Sequence, residues 1–185
     1  MNRLLSLLSG LLVVLYPLAI YLGLSYWEPA SIGLILIVLF SLRLLLAKHA
    51  GRFTTTPWIA AIGVAIALLS LVANSEFPFR FYPVAVNGVL LGLFGLSLFR
   101  GPSFVERIAR MTEPDLPEQG VHYTRRVTQL WCLFFIINGS AALYTALYAS
   151  LELWTIYNGL IAYVLMGVLV CSEWVYRRVF IEDKK

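Results

Sequence analysis

Long apolar runs, separated by short clusters of charged or turn-forming residues, set the pattern of this chain. Between charged positions the runs are Leu4 to Trp27, Pro29 to Leu42, Phe53 to Ser75, Phe81 to Phe99, Val127 to Leu151 and Leu153 to Ser172. A helix crossing about 30 Å of hydrocarbon needs roughly 20 apolar residues. Five runs reach that length unaided. Leu44 to Ala47 extend the second past Arg43, whose stem can stay in lipid while its head reaches the interface. The runs are continuously apolar and lack the alternation of a β-barrel strand. The pattern predicts an all-α integral membrane bundle of six transmembrane helices forming one transmembrane domain, 1–185. The spans are expected at 4–24, 30–47, 57–74, 82–99, 127–148 and 154–175, with a loop over 100–126. A re-entrant second segment would leave five.

Composition narrows the class. Of 185 residues, 60% are hydrophobic and 13% charged, against roughly 25% charged in a soluble domain. So few charges cannot clothe a water-soluble enzyme, and the hydrophobicity excludes a disordered chain. The net charge of +4 matters less than its distribution. With the N-terminus in the cytoplasm, that side holds Arg3, Arg43, Lys48, Arg52, Arg100, Arg107, Arg110, Arg125, Arg126, Arg177, Arg178, Lys184 and Lys185, leaving only Arg80 outside. This is the positive-inside pattern, and it needs an even number of spans with both termini cytoplasmic. The same distribution accounts for the basic residues without a nucleic-acid partner. Arg3 before an apolar run resembles a signal peptide, but no small-residue cleavage site comes after it, so a retained anchor is expected. A multi-pass protein of the bacterial inner membrane fits these features. Tyr26, Trp27, Trp58, Tyr82, Trp131, Tyr148, Trp154, Trp174 and Tyr176 fall near span ends, where aromatic rings favour the headgroup level. Cys132 and Cys171 lie in apolar segments, as reduced thiols would.

Polar residues inside the spans are the next signal. Asn87-Gly88, Asn138-Gly139 and Asn158-Gly159 occur within apolar segments. An asparagine amide in hydrocarbon needs a partner, and the adjoining glycine admits a neighbouring backbone. Interhelical packing is the first reading and a polar patch lining a lipid site the second. Gly88, Gly92 and Gly95 give the fourth helix a small-residue face, which serves either the packing of the fold, the reading taken here, or a homodimer. Glu173 precedes Arg177 by four residues, a favourable ion-pair order. The alternative partners for Glu173 are Arg125 or Arg126, which would clamp the last two helices.

The loop carries the remaining chemistry. Gly101-Pro102 breaks the fourth helix, and Ser103-Phe-Val-Glu106 has the form of a capping box. A short interfacial helix is expected from Phe104 to about Met111, with Phe104, Ile108 and Met111 on one face. The acids of Glu113 to Glu118 are expected to fold back onto arginines. Arg107, Arg110, Arg125 and Arg126 hold the topology and touch lipid phosphates, or form a site for an anionic headgroup or for an acidic partner such as an acyl carrier protein or a lipid-synthesis enzyme. His122 and His49 are the only histidines, and no His-x4-Asp pattern, metal cluster, phosphate loop or Ser-His-Asp set is evident. No cofactor or catalytic residue is expected.

Tyr82-Pro-Val-Ala-Val-Asn-Gly88, Phe104-Val-Glu-Arg-Ile-Ala-Arg110, Glu113-Pro-Asp-Leu-Pro117, Tyr123-Thr-Arg-Arg-Val-Thr128, Trp131-Cys-Leu-Phe-Phe135, Asn138-Gly139 and Tyr157-Asn-Gly-Leu-Ile-Ala-Tyr163 resemble a family of small bacterial inner-membrane proteins encoded beside genes for aryl polyene lipid synthesis. The resemblance covers Tyr82 to about Arg178. It implies a role beside ketosynthases, acyltransferases and acyl carrier proteins, and it carries over no catalytic residue. A weaker similarity, of fold alone, is to the septation protein A family. The expectation is a non-enzymatic accessory or scaffold for synthesis or export of an envelope lipid. Its rivals are a small lipid or metabolite transporter or flippase, whose inverted halves the sequence supports poorly, and a membrane enzyme using His122 with Glu113, Asp115 or Glu118.

Overall fold

The computed structural model describes residues 15–47 and 56–180. Among them every regular element is helical and none is a strand. In chain order they are α1 (Tyr16–Tyr26), α2 (Pro29–Ala47), α3 (Thr56–Ala73), a 3-10 turn (Phe77–Phe81), α4 (Tyr82–Phe99), α5 (Phe104–Ala109), α6 (Glu118–Tyr148), α7 (Leu151–Ile156), a π turn (Tyr157–Ile161) and α8 (Ala162–Phe180). Helical residues lie on all six apolar runs. Among the described residues three stretches are long and apolar enough to cross a membrane: Phe77–Phe99, Glu118–Tyr148 and Leu151–Arg178. Pro29–Ser41 and Trp58–Ala73 are shorter apolar helices. Arg3 and the start of the first run lie outside the described residues, as do Lys48, His49, Arg52, Lys184, Lys185 and the side chain of Arg43.

Side chains sort as they do where hydrocarbon is the solvent. Asn87, Asn138, Asn158, Thr124, Thr128, Thr145, Thr155, Ser70 and Ser97 are buried, while Val38, Val72, Leu69, Leu96, Ile137 and Val168 face outward. In water that distribution would be costly. In oil it is favourable, because outward apolar groups lose nothing and inward polar groups find partners.

Two antiparallel pairs build the bundle. In the first, α2 lies on α3. Gly33 comes so close that a Cβ there would stand 3.2 Å from the Ala67 carbonyl oxygen, and Gly63 sits beneath the buried ring of Phe40. In the second, α4 lies on α6, with Phe94 edge-on to Phe135 at 5.1 Å. The pairs meet at an aromatic cluster in which Tyr16 packs on Tyr82 at 4.3 Å and Phe40 on Tyr82 at 5.4 Å. A polar knot closes this junction. Tyr16 Oη donates to the Phe79 carbonyl at 3.1 Å and Trp154 Nε1 to the Arg80 carbonyl at 3.0 Å. Arg80 donates to the Ala149 carbonyl at 3.0 Å and to Glu76 at 2.9 Å. The Phe79 carbonyl also accepts from the Tyr82 N–H, so the Tyr16 hydroxyl adds a second bond there while Trp154 bonds the next carbonyl along.

Three boundaries and one packing face differ from the sequence reading. α6 begins at Glu118, so residues 118–126 are helix and not loop. Pro117 stands at its N-cap with extended φ and ψ, and Glu118 places an acid in the first turn, where the helix dipole favours it. The last helix begins at Leu151, with Ser150 Oγ accepting from the Leu153 N–H at 3.2 Å, and continues to Phe180. The π turn interrupts it at the third Asn-Gly pair. On α4, a Cβ at Gly88, Gly92 or Gly95 would meet nothing within 4 Å. Among the described residues nothing packs on that stripe; α4 turns Asn87, Phe94 and Ser97 inward instead.

Glycine substitutions separate the packed face from the open one. At Gly63 a Cβ would lie 2.6 Å from the Phe40 ring, so Gly63→Ala is expected to destabilise the folded protein by about 1–3 kcal/mol through overpacking. Gly88→Ala meets no neighbour, and its stability should match or exceed wild type because alanine favours the helix. Reversible unfolding in mixed micelles measures both.

Candidate functional site

The end of the bundle where α4 finishes gathers most of the described arginines. Gly101 adopts φ +92°, a conformation that a side chain disfavours, and Pro102 prevents α4 from continuing. The chain then turns across the end of the bundle. α5 is pinned there by its first amides. The Glu106 carboxylate accepts from the Ser103 N–H at 3.3 Å, the reciprocal half of a capping box. Phe104 N–H donates to Ser97 Oγ at 2.8 Å, and Val105 N–H donates to Thr128 Oγ1 on α6 at 3.3 Å. The Phe104 ring stacks on Phe94 at 4.1 Å. The expected apolar face of α5 is therefore split: Phe104 turns into the aromatic cluster, while Ile108 and Met111 stay exposed.

Three of the four arginines singled out by sequence are tied to the protein itself. Arg107 donates to the carbonyls of Pro102 at 2.9 Å and Arg100 at 3.3 Å. Arg125 donates to the Leu98 carbonyl at 3.0 Å. The negative end of α4 thus meets two guanidinium groups, the favourable arrangement for a helix C-terminus. Arg110 pairs with Glu106 at 2.9 Å and donates to the Pro114 carbonyl at 2.9 Å. Arg126 is exposed and bonds to no described residue. A guanidinium has five N–H donors, so the tied arginines keep donors for an incoming anion, and their planes are already oriented.

Glu173 reaches α6 through Tyr123, not through Arg125 or Arg126. Its Oε1 accepts from Tyr123 Oη at 2.9 Å. The rings of Tyr123 and Tyr176 lie nearly parallel, 6.0 Å apart. Successive residues on a helix turn by about 100°, so Tyr123 and Arg125 point to opposite sides of α6. Arg125 serves α4 and Tyr123 serves α8. Arg178 lies over the Trp174 ring at 5.2 Å.

Two of the three asparagines meet. Asn138 Nδ2 donates to Asn87 Oδ1 at 3.1 Å, and Asn87 Nδ2 donates to the Pro83 carbonyl at 2.8 Å. Tyr157 Oη donates to Asn138 Oδ1 at 3.1 Å. A chain of polar contacts thus runs from the π turn through α6 into α4. Gly139 makes the approach possible, since a Cβ there would stand 3.1 Å from Asn87 Cβ. Asn158 is bound separately, donating to Thr145 Oγ1 at 3.1 Å and to the Trp154 carbonyl at 2.9 Å. Its neighbour Gly159 lies against Pro17 of α1, which a Cβ would meet at 3.5 Å. The amides are spent on one another and on nearby carbonyls, and all three asparagines are buried.

His122 is exposed on the first turns of α6. Both cysteines are free, with Cys171 exposed, and no metal-binding group of three ligands occurs among the described residues. Tyr123, Thr128 and Tyr157 were not singled out by sequence. Their signal was adjacency: each is a hydroxyl side chain near a residue that was noted for its polarity. No protein-family model matches the chain, and comparison with curated proteins and with solved structures finds no significant match.

The amide contact gives a direct test. In a double-mutant cycle of Asn87→Ala and Asn138→Ala, we expect a coupling energy of about 0.6–1.7 kcal/mol, the range for interhelical hydrogen bonds in membranes. Additive losses would mean that the pair does not bond in the membrane.

Proposed function

We propose that this chain is a multi-pass protein of a bacterial inner membrane, with six spans and both termini in the cytoplasm. In this reading it is a non-enzymatic accessory or scaffold for the synthesis or export of an envelope lipid of the aryl polyene type. The observation that carries the proposal is the division of labour among its polar groups. The buried asparagines bond to one another and to Tyr157 and Thr145, while the guanidinium groups at one end are held in place with donors to spare. α5 is the interfacial helix of this reading, with Ile108 and Met111 turned to the lipid boundary. The lipid class comes from the resemblance over Tyr82 to Arg178.

Arg107, Arg110, Arg125 and Arg126 then recruit an anionic headgroup or an acidic partner such as an acyl carrier protein or a lipid-synthesis enzyme. Arginine suits this because its planar fork grips phosphate or carboxylate through two parallel bonds. Basic groups near an anionic surface contribute about 1 kcal/mol each. The α1–α3 helices complete the scaffold, and the positive-inside distribution sets the orientation.

Arg126→Gln is the cleanest probe, because no described contact of the fold depends on its side chain. We expect its affinity for the acidic partner to fall about fivefold, corresponding to about 1 kcal/mol. The same Arg126→Gln change should lower aryl polyene lipid output in a complemented deletion strain, at wild-type protein level and topology. Unchanged lipid output would remove the proposal.

A further inference from the structure

Arg100, Arg107 and Arg125 belong to three stretches of chain and meet where α4 ends. Arg107 of α5 donates to the Pro102 carbonyl at 2.9 Å and to the Arg100 carbonyl at 3.3 Å. Arg125 of α6 donates to the Leu98 carbonyl at 3.0 Å. Two residues of chain span at most about 7 Å, so both guanidinium groups flank one helix end. The Arg100 side chain, at the C-cap of α4, is exposed and bonds to no described residue. Charge separates this group from its neighbour Arg110, which is paired with the buried Glu106 at 2.9 Å. Arg107 and Arg125 meet carbonyl oxygens, and among the described residues no ion pair joins them to an acid. A helix C-terminus carries about half a negative charge. Three full positive charges exceed it, so the α4 terminus is electropositive as a whole. Apolar side chains border it: Phe99 is exposed on α4, and Ile108 and Met111 are exposed beside it on α5 and its end. α4 lies in a stretch long and apolar enough to cross a membrane, Phe77–Phe99. In a bilayer, a basic residue just past such a stretch stands at the level of the lipid phosphates.

We propose that Arg100, Arg107 and Arg125 bind the phosphate of an anionic phospholipid, whose acyl chains lie against Phe99, Ile108 and Met111. The proposal rests on the recruitment reading of the basic end, and it gives the headgroup to these three arginines and not to Arg110. Of the five N–H donors of a guanidinium, Arg107 uses two and Arg125 one on the carbonyls. The donors left over suit a phosphate, whose oxygens accept two parallel bonds from one guanidinium. Both side chains are already oriented by their carbonyl contacts, so little freedom is lost when the anion arrives. A bound phosphate also relieves the repulsion among three like charges. The exposed apolar side chains beside the arginines favour a lipid over a soluble phosphate, because hydrocarbon covers them without loss. A choline headgroup would bring its own positive charge to the same place, so a lipid with net negative charge is preferred.

The test uses the full chain in a non-ionic detergent, with phosphatidylglycerol as the probe and native mass spectrometry to count the lipid retained. Phosphatidylglycerol should bind several-fold more tightly than phosphatidylcholine. Arg100→Gln disturbs no described contact and should weaken binding about fivefold, as expected for one basic group at an anionic surface. Arg107→Gln and Arg125→Gln should weaken it at least as much. Their double variant should lose less than the product of the two, because both groups grip one phosphate. If either fails to fold, Arg100→Gln decides. Arg178→Gln removes the same charge near the same end of the bundle and should leave the affinity unchanged. Equal losses in Arg178→Gln and Arg100→Gln would reduce the site to general attraction and overturn it. So would equal retention of phosphatidylcholine, or displacement of the lipid by an equal concentration of inorganic phosphate, which would assign the arginines to a soluble anion. Failure of the recruitment reading shows elsewhere, as unchanged partner affinity and lipid output in Arg126→Gln with phosphatidylglycerol binding intact.

Discussion

A polar group in hydrocarbon must find its partner within the protein, and this constraint organises the rest of the bundle. It explains why asparagines and threonines lie inside while valines and leucines lie outside. It also explains why the closest helix contacts coincide with amides. Gly139 exists to let Asn87 reach Asn138. The π turn delivers Tyr157 to the same pair and Asn158 to Thr145. Satisfying these groups fixes the rotation of α4, α6 and α8 about their own axes, which apolar packing against lipid alone would leave poorly specified.

That rotation in turn decides what each residue at the basic end can do. With Asn138 committed to α4, the first turns of α6 direct Arg125 to the α4 terminus and Tyr123 to α8. The arginines serve two purposes at once. They neutralise the carbonyls where a broken helix ends, and this fixes their own long side chains. An oriented guanidinium loses less freedom on binding an anion than a mobile one. A structural role for Arg107, Arg110 and Arg125 therefore supports the recruitment reading.

Helix positions were legible because span length is dictated by hydrocarbon thickness, and the apolar runs are bounded by charges. The start of α6 was not. Glu118 to Arg126 is polar, and a criterion built on apolarity stops where the helix leaves the oil, whereas the hydrogen-bonded ladder continues into water. That buried amides need partners was also legible, but not which amide meets which. Asn158 looked equivalent to Asn87 and Asn138 yet belongs to Thr145, because one extra residue in a π turn shifts the facing side. The same rotational ambiguity left Arg125 and Arg126 as candidate partners of Glu173, although Tyr123 is the residue that faces it. The Gly88, Gly92 and Gly95 stripe suggested close packing, but a stripe has no direction until the polar residues on the opposite face have chosen theirs.

The knot around Arg80 has a consequence for how the protein is made. Tyr16 and Phe79 lie 63 positions apart, Arg80 and Ala149 69, and Arg80 and Trp154 74. When the ribosome has delivered the 3-10 turn, Tyr16 is already present, but Ala149 and Trp154 have not yet emerged. Arg80 must wait, hydrated or paired only with Glu76, until the α6–α7 corner arrives. Assembly of the earlier helices onto the later ones is therefore completed only once Trp154 has been made, by an arginine delivered 74 residues before it.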